Sequence, residues 1–142
     1  MCVLIRRLIR AYGAVVLDYD REAARYDATR GGDARASAAA DAIETLLSLA
    51  MGEAPTALTS IVDIGCGTGI VTARLPRPGR SVIGIDRSSG MAAIAATRMP
   101  GRITLGDVTR LPLASGSVQV VMMMWLLHLL NRAIIAGQNL AY

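Results

Sequence analysis

The run Val62-Asp63-Ile64-Gly65-Cys66-Gly67-Thr68-Gly69-Ile70 holds the residues best suited to chemistry. A short β-branched stretch ends in an acid and enters three glycines at alternate positions. Glycine lets the backbone turn sharply and lets a ligand lie against the main chain. A helix starting behind the turn offers unpaired N–H groups. A dinucleotide-binding turn has the spacing G-x-G-x-x-G, whose third glycine permits close packing of helix on strand. Position 70 is isoleucine, so that spacing fails. A phosphate-gripping loop needs G-K-[ST], and the chain has no lysine. A carboxylate at Asp63 would repel a pyrophosphate and suits an ammonium group.

Two further acids stand in register. Ile83-Gly84-Ile85-Asp86 places a carboxylate nineteen residues after Gly67, at the end of the next expected strand. An acid there can accept from both hydroxyls of a ribose. Leu105-Gly106-Asp107-Val108 follows a third strand. Asp107 can accept from the exocyclic amine of an adenine, and Val108 supplies a backbone N–H for a ring nitrogen. Met91 can pack on the adenine face. Together these groups describe a nucleoside that bears an ammonium group and no phosphates, which S-adenosylmethionine fits.

On these residues the chain resembles the class I S-adenosylmethionine-dependent methyltransferases. The resemblance runs from about Tyr19 to Leu130 and is carried by V-D-I-G-C-G-T-G, G-I-D-R-S and G-D-V-x-x-L-P, in that order. The subgroup nearest by eye is the small-molecule group that includes ubiquinone and menaquinone C-methyltransferases. Its Y-D-x-x-R-like segment is matched here by Tyr26-Asp27-Ala28-Thr29-Arg30. The resemblance implies that Asp63, Gly65 and Gly67, with Cys66 in the same cofactor-binding run, face the methionine part of the cofactor. It implies that Asp86 binds the ribose, that Arg87 and Met91 border the adenine, and that Asp107 with Val108 recognises it. Met124 and Trp125 would sit near the transferable methyl, and Tyr26 and Arg30 would close over the cofactor. No catalytic residue is assigned.

Plainer readings stand beside these. The glycines could serve only a tight turn, Asp86 could be a surface acid, and Asp107 could cap a loop. Met91 and the run Met122 to Met124 suit a core. Tyr26 and Arg30 suit a solvated helix, and Trp125 suits simple burial. His128, one turn beyond Met124, could be a general base, but packing or a helix terminus accounts for it as well.

The elements that must position these groups follow from pattern. Tyr19 to Arg30 reads as a short surface helix, broken by Gly31 and Gly32. Asp33 is the expected N-cap of a second helix over Ala34 to Ala50, whose inward face is Ile43, Leu46, Leu47 and Ala50. Gly52 and Pro55 end it. Strands are expected at Ser60 to Ile64, Ser81 to Ile85, Arg102 to Leu105 and Val118 to Met123. Helices are expected at Ile70 to Leu75, from a Ser88 cap through Met99, and from near Trp125. Strands alternating with helices imply right-handed crossovers and a parallel α/β sheet. Apolar runs imply that both faces are covered.

Composition narrows the classes. The chain has 142 residues, 53% of them hydrophobic and 18% charged, which excludes a disordered or fibrous protein. The net charge is +4 and all fifteen basic residues are arginine. They are scattered among acids from Arg6 to Arg132, whereas a nucleic-acid binder clusters them. No nucleic-acid partner is expected. Cys2 and Cys66 are the two cysteines and His128 the one histidine. These are too few for a structural zinc site or a disulfide framework, so no metal is expected and a cytoplasmic location is the default. Arginines interrupt the apolar N-terminus, and the apolar stretch Val118 to Leu130 is short of the ~20 residues a membrane helix needs. No membrane partner is expected.

The expected protein is thus an α/β, Rossmann-like parallel sheet of the class I methyltransferase type. Positions 1–18 form an N-terminal extension, and positions 19–142 form the cofactor-binding part of the domain. The resemblance implies strand order 3-2-1-4-5-7-6, of which about four strands can be counted. The chain is therefore expected to be truncated after the fourth, whose apolar edge could pair with a second copy. The expected function is methyl transfer from S-adenosylmethionine to a small-molecule acceptor. The alternative is a non-catalytic remnant that binds the cofactor or pairs with another chain.

Overall fold

The computed structural model describes residues 18–51, 59–108 and 110–126. Two helices come first, α1 (Tyr19–Thr29) and α2 (Gly32–Met51). They are followed by β1 (Thr59–Ile64), a 3₁₀ turn (Thr72–Arg74), β2 (Arg80–Asp86), α3 (Ser89–Arg98), β3 (Ile103–Leu105) and β4 (Val120–Met122). The strands form one sheet of order β3-β2-β1-β4, with every pairing parallel. This is the expected α/β, Rossmann-like arrangement, at the expected end of the strand order.

Alternation along β1 and β2 builds two cores. Ile61, Val82 and Met122 face α2, meeting Ala36, Ala40 and Ile43 together with Val71, Leu75 and Met99. Val62, Ile64 and Ile85 face the other way, onto Val108, Leu111, Leu113, Val118 and Leu126. Both faces of the central strands are thereby covered, as parallel sheets require. Glu44 of α2 takes Arg80 through two hydrogen bonds, at 2.6 and 3.0 Å, and ties the helix to the start of β2.

Several boundaries differ from expectation for physical reasons. The inward stripe of α2 is Ala36, Ala40, Ile43 and Leu47, while Leu46 is 64% exposed and Ala50 is exposed. Alanines share the inward stripe with Ile43 and Leu47. Asp33 is not an N-cap: α2 begins at Gly32, after a turn in which Gly31 and Gly32 have φ of 87° and 53°. Asp33 lies in the first helical turn and pairs with Arg74.

Ile70 to Leu75 does not form an α-helix. The bonds tighten from Ala73 N–H on the Gly69 carbonyl to Arg74 on Val71 and Leu75 on Thr72. Pro76 and Pro78 follow at once and offer no N–H to continue the ladder. β3 and β4 are three residues each, shorter than their apolar runs. Just before β4, the Gln119 side-chain oxygen accepts the Ser60 N–H at 2.8 Å, so a side chain stands in for a strand carbonyl. Ser88 does cap α3, its hydroxyl accepting the Met91 N–H at 3.1 Å. The residues after Leu126, including His128 and the expected last helix, lie outside the described residues, as do Gly52 and Pro55.

Candidate functional site

β1 leads directly into the glycine turn. Gly65 and Cys66 donate their N–H groups to the Ile85 carbonyl at 2.8 and 3.1 Å, which carries the β1–β2 ladder into the turn. Gly65, Gly67 and Gly69 have φ of 74°, 57° and 70°. L side chains are strained in that region, so the alternate glycines are required by the backbone. Among the described residues, a Cβ at Gly67 would meet nothing within 4 Å, so the main chain there presents an open face. Leu126 packs over Gly65, 3.1 Å from where a Cβ would stand.

Asp86 ends β2 beside this turn. Its Oδ2 accepts the Gly67 N–H at 2.7 Å and its Oδ1 accepts the Ser88 N–H at 2.8 Å. One carboxylate therefore joins the turn to the start of α3, and each oxygen keeps a further lone pair. Asp63 lies beneath, 2% exposed, with Oδ2 accepting the Thr72 hydroxyl at 2.6 Å. Among the described residues its Oδ1 has no hydrogen-bond donor. Burial, with the charge of Asp86 adding, pushes the Asp63 carboxyl up to about 6 against the pull of Thr72. Burial and the charges of Asp63 and Asp86 also push the Cys66 thiol up, which disfavours the thiolate. Gly84 makes room for it: a Cβ there would stand 2.7 Å from the Cys66 sulfur.

At the rim, the Gly106 N–H donates to the Asp86 carbonyl at 3.0 Å and leads into Asp107, whose carboxylate lies 3.8 Å from the Arg87 guanidinium. Val108 is half-buried against the second core. Met91 is 1% exposed, and Met124 is half-buried against the first core. The structure therefore gathers Gly65, Cys66, Gly67, Asp86 and Asp63 at one point, sets Arg87 and Asp107 at its edge, and packs the two methionines inward.

A cleft adjoins the turn, lined in part by Tyr26, Arg30, Arg35, Ile70, Val71 and Trp125. The Arg30 guanidinium lies 5.6 Å from the centre of the Tyr26 ring, and that of Arg35 lies 3.8 Å from the Trp125 ring. Trp125 is the one non-glycine residue with positive φ among the described residues, at 55°. Sequence reasoning did not reach the side chains that fasten this region: Asp20 on Ser88 and Gly90, and Asp27 on Thr68 and Arg98. The available signal was the seven-residue spacing of Asp20 and Asp27, which puts both on one face of α1. Among the described residues no cluster of His, Cys, Asp and Glu could hold a metal, and no helix is long and apolar enough to cross a membrane.

A strand ending in an acid, a three-glycine turn and a second acid bonded into that turn are features of a recognisable domain. The methyltransferase domain family matches residues 61–138, more than half of the chain. The chain belongs to this family. Over 62 residues it is 40% identical to a demethylmenaquinone methyltransferase of Beutenbergia cavernae, a match covering 43% of this chain and 26% of that protein. Over 59 residues it is 36% identical to a magnesium-protoporphyrin O-methyltransferase of Rhodobacter capsulatus, covering 40% of this chain and 26% of the other. These matches thus span about a quarter of the length of each relative. The structure resembles the plantazolicin methyltransferase BpumL, solved with a pentazolic desmethylPZN analog and SAH, at a TM-score of 0.57. The two are 19% identical, with 84% of this chain and 46% of the other covered, a likeness of methyltransferase fold.

Proposed function

We propose that this methyltransferase domain binds S-adenosylmethionine and serves methyl transfer to a small-molecule acceptor. The observation that carries the reading is the Asp86 carboxylate fastened to the Gly67 N–H at the carboxyl ends of β1 and β2. Ligands of open α/β sheets bind at such strand ends. The residues present fit this cofactor. The open face at Gly67 leaves room for it against the main chain, and the Asp63 oxygen lacking a donor suits an ammonium group. The second lone pairs of Asp86 can take ribose hydroxyls. In the same reading Asp107 and Val108 would take an adenine edge beside Arg87, while Met91 and Met124, packed inward, would support the site from beneath.

When bound, the cofactor would supply an electrophilic sulfonium methyl group for the acceptor. The protein then needs chiefly to align the acceptor and exclude water. Tyr26, Ile70, Val71 and Trp125 give the cleft the apolar and aromatic lining for that task. A cytoplasmic location is part of the same proposal. A second copy pairing along the outer edge of β4 belongs to the same proposal, because β4 is the outermost strand of the sheet among the described residues.

Calorimetry tests the reading. S-adenosylhomocysteine should bind one to one and NAD should not. Asp86→Ala should weaken binding about tenfold or more, as expected for losing hydrogen bonds to a charged group. Tighter binding of NAD, or unchanged affinity in a folded Asp86→Ala variant, would overturn it. Sedimentation of the same sample reads the pairing of copies.

A further inference from the structure

Thr68 is the hydroxyl-bearing residue of the glycine turn, set between the two left-handed positions Gly67 and Gly69. It is 2% exposed, and its hydroxyl and carbonyl are held from outside the turn. Its hydroxyl donates to Asp27 Oδ1 at 2.5 Å, and its carbonyl accepts from Arg98 Nη1 at 2.6 Å. Arg98 Nη2 closes the triangle on Asp27 Oδ2 at 2.7 Å. The three corners come from α1, the turn and the last residue of α3. Seven residues earlier, Asp20 takes the start of α3, accepting from the Gly90 N–H at 2.7 Å and the Ser88 hydroxyl at 2.8 Å. The two carboxylates fasten α1 along α3, and Asp27 also reaches the turn.

A turn with alternate glycines has more conformations to lose than other backbone. If it were loose, a ligand lying on Gly67 would have to order it on binding, at a cost in affinity. We propose that Asp27 is a positioning residue for this site. Acting through Thr68, it holds the glycine turn in the shape that receives the cofactor, so docking of α1 and binding at Gly67 strengthen each other. The coupling is reciprocal: the ligand tightens α1 as much as docked α1 tightens the ligand. This rests on the cofactor reading above for the identity of the ligand, but not for the clamp itself.

The test uses the full chain and S-adenosylhomocysteine as probe. Thr68→Val removes the hydroxyl and keeps the shape, whereas Thr68→Ser keeps the hydroxyl. Binding to Thr68→Ser should match the parent, and binding to Thr68→Val and Asp27→Ala should be about tenfold weaker. The double variant Thr68→Val/Asp27→Ala should bind no more weakly than Asp27→Ala, because both changes remove the same bond. Without ligand, amide exchange at Gly67 to Gly69 should quicken in Thr68→Val while β1 and β2 keep their protection. General destabilisation would not give that split. Unchanged affinity and unchanged exchange in Thr68→Val overturn the positioning role. A parent chain that fails to bind the probe overturns the cofactor reading, and the exchange measurement still decides the clamp.

Discussion

Asp63 illustrates a conflict between stability and use. Its carboxyl, raised to about 6 mainly by burial, holds a proton more tightly in the folded chain than in the unfolded one, where the ordinary value is 3.8. The stability this group contributes is therefore complete below about pH 4 and is lost as pH rises through about 6. Asp63→Asn should make the fold more stable at pH 8, by about 3 kcal/mol at most from the size of the shift, with the gap closing near pH 4. It should also weaken binding of S-adenosylhomocysteine, since a neutral amide attracts an ammonium group less. Denaturant melts at the two pH values check the first claim, and equal stability of variant and parent at pH 8 would refute it. At this scale the sequence was readable where geometry depends on short spacing: the glycine turn follows Asp63, and Asp86 ends the next strand. The partners of Thr68 were not readable, because Asp27 and Arg98 lie 41 and 30 residues away and only the packed helices bring them together.

Helix α1 depends on how closely it can lie on α3. Gly90, in the first turn of α3, is a point of close approach: a Cβ there would stand 3.0 Å from the Asp20 carbonyl oxygen and 3.1 Å from its Cα. Alanine would favour the helix locally by up to about 1 kcal/mol. The atoms it meets are backbone and cannot rotate aside, so α1 itself must shift. Gly90→Ala should release α1, seen as faster amide exchange over Tyr19 to Thr29, while β1 and β2 keep their protection. A variant that is more stable with α1 equally protected would show that the approach is not limiting. Elements were legible from the sequence where periodicity and caps agreed, as in α3 behind Ser88. The face of α2 was read half correctly: Ile43 and Leu47 turn inward as expected, while Leu46 and Ala50 are exposed and Ala36 and Ala40 complete the stripe. The segment after Gly69 was misjudged because its composition suits a helix while Pro76 and Pro78 leave it no length.

Among the described residues, strand pairing shortens away from the centre of the sheet. β1 and β2, six and seven residues long, are covered on both faces, while β3 and β4 at the edges pair over three residues each. Leu105 and Val121 are exposed on those edges at 57% and 51%. The strand order came from the family resemblance and not from local pattern, since β4 pairs with β1 and not with β3, the strand it follows. The edge lengths were not legible, because an apolar run such as Val118 to Met123 continues beyond the residues that find a partner.

The Asp27–Thr68–Arg98 triangle has a consequence for digestion by trypsin. That protease cleaves only where an arginine or lysine side chain can enter its acidic specificity pocket, and in a lysine-free chain every cut reports on an arginine. Arg98 stands at an exposed helix end, yet its guanidinium is held by Thr68 and Asp27. The side chain of Arg87 is 72% exposed. In a timed digest read by mass, the fragment ending at Arg87 should appear before the one ending at Arg98, and Asp27→Ala should bring the second forward. If the Arg98 cut comes first in the parent, the triangle does not persist in solution.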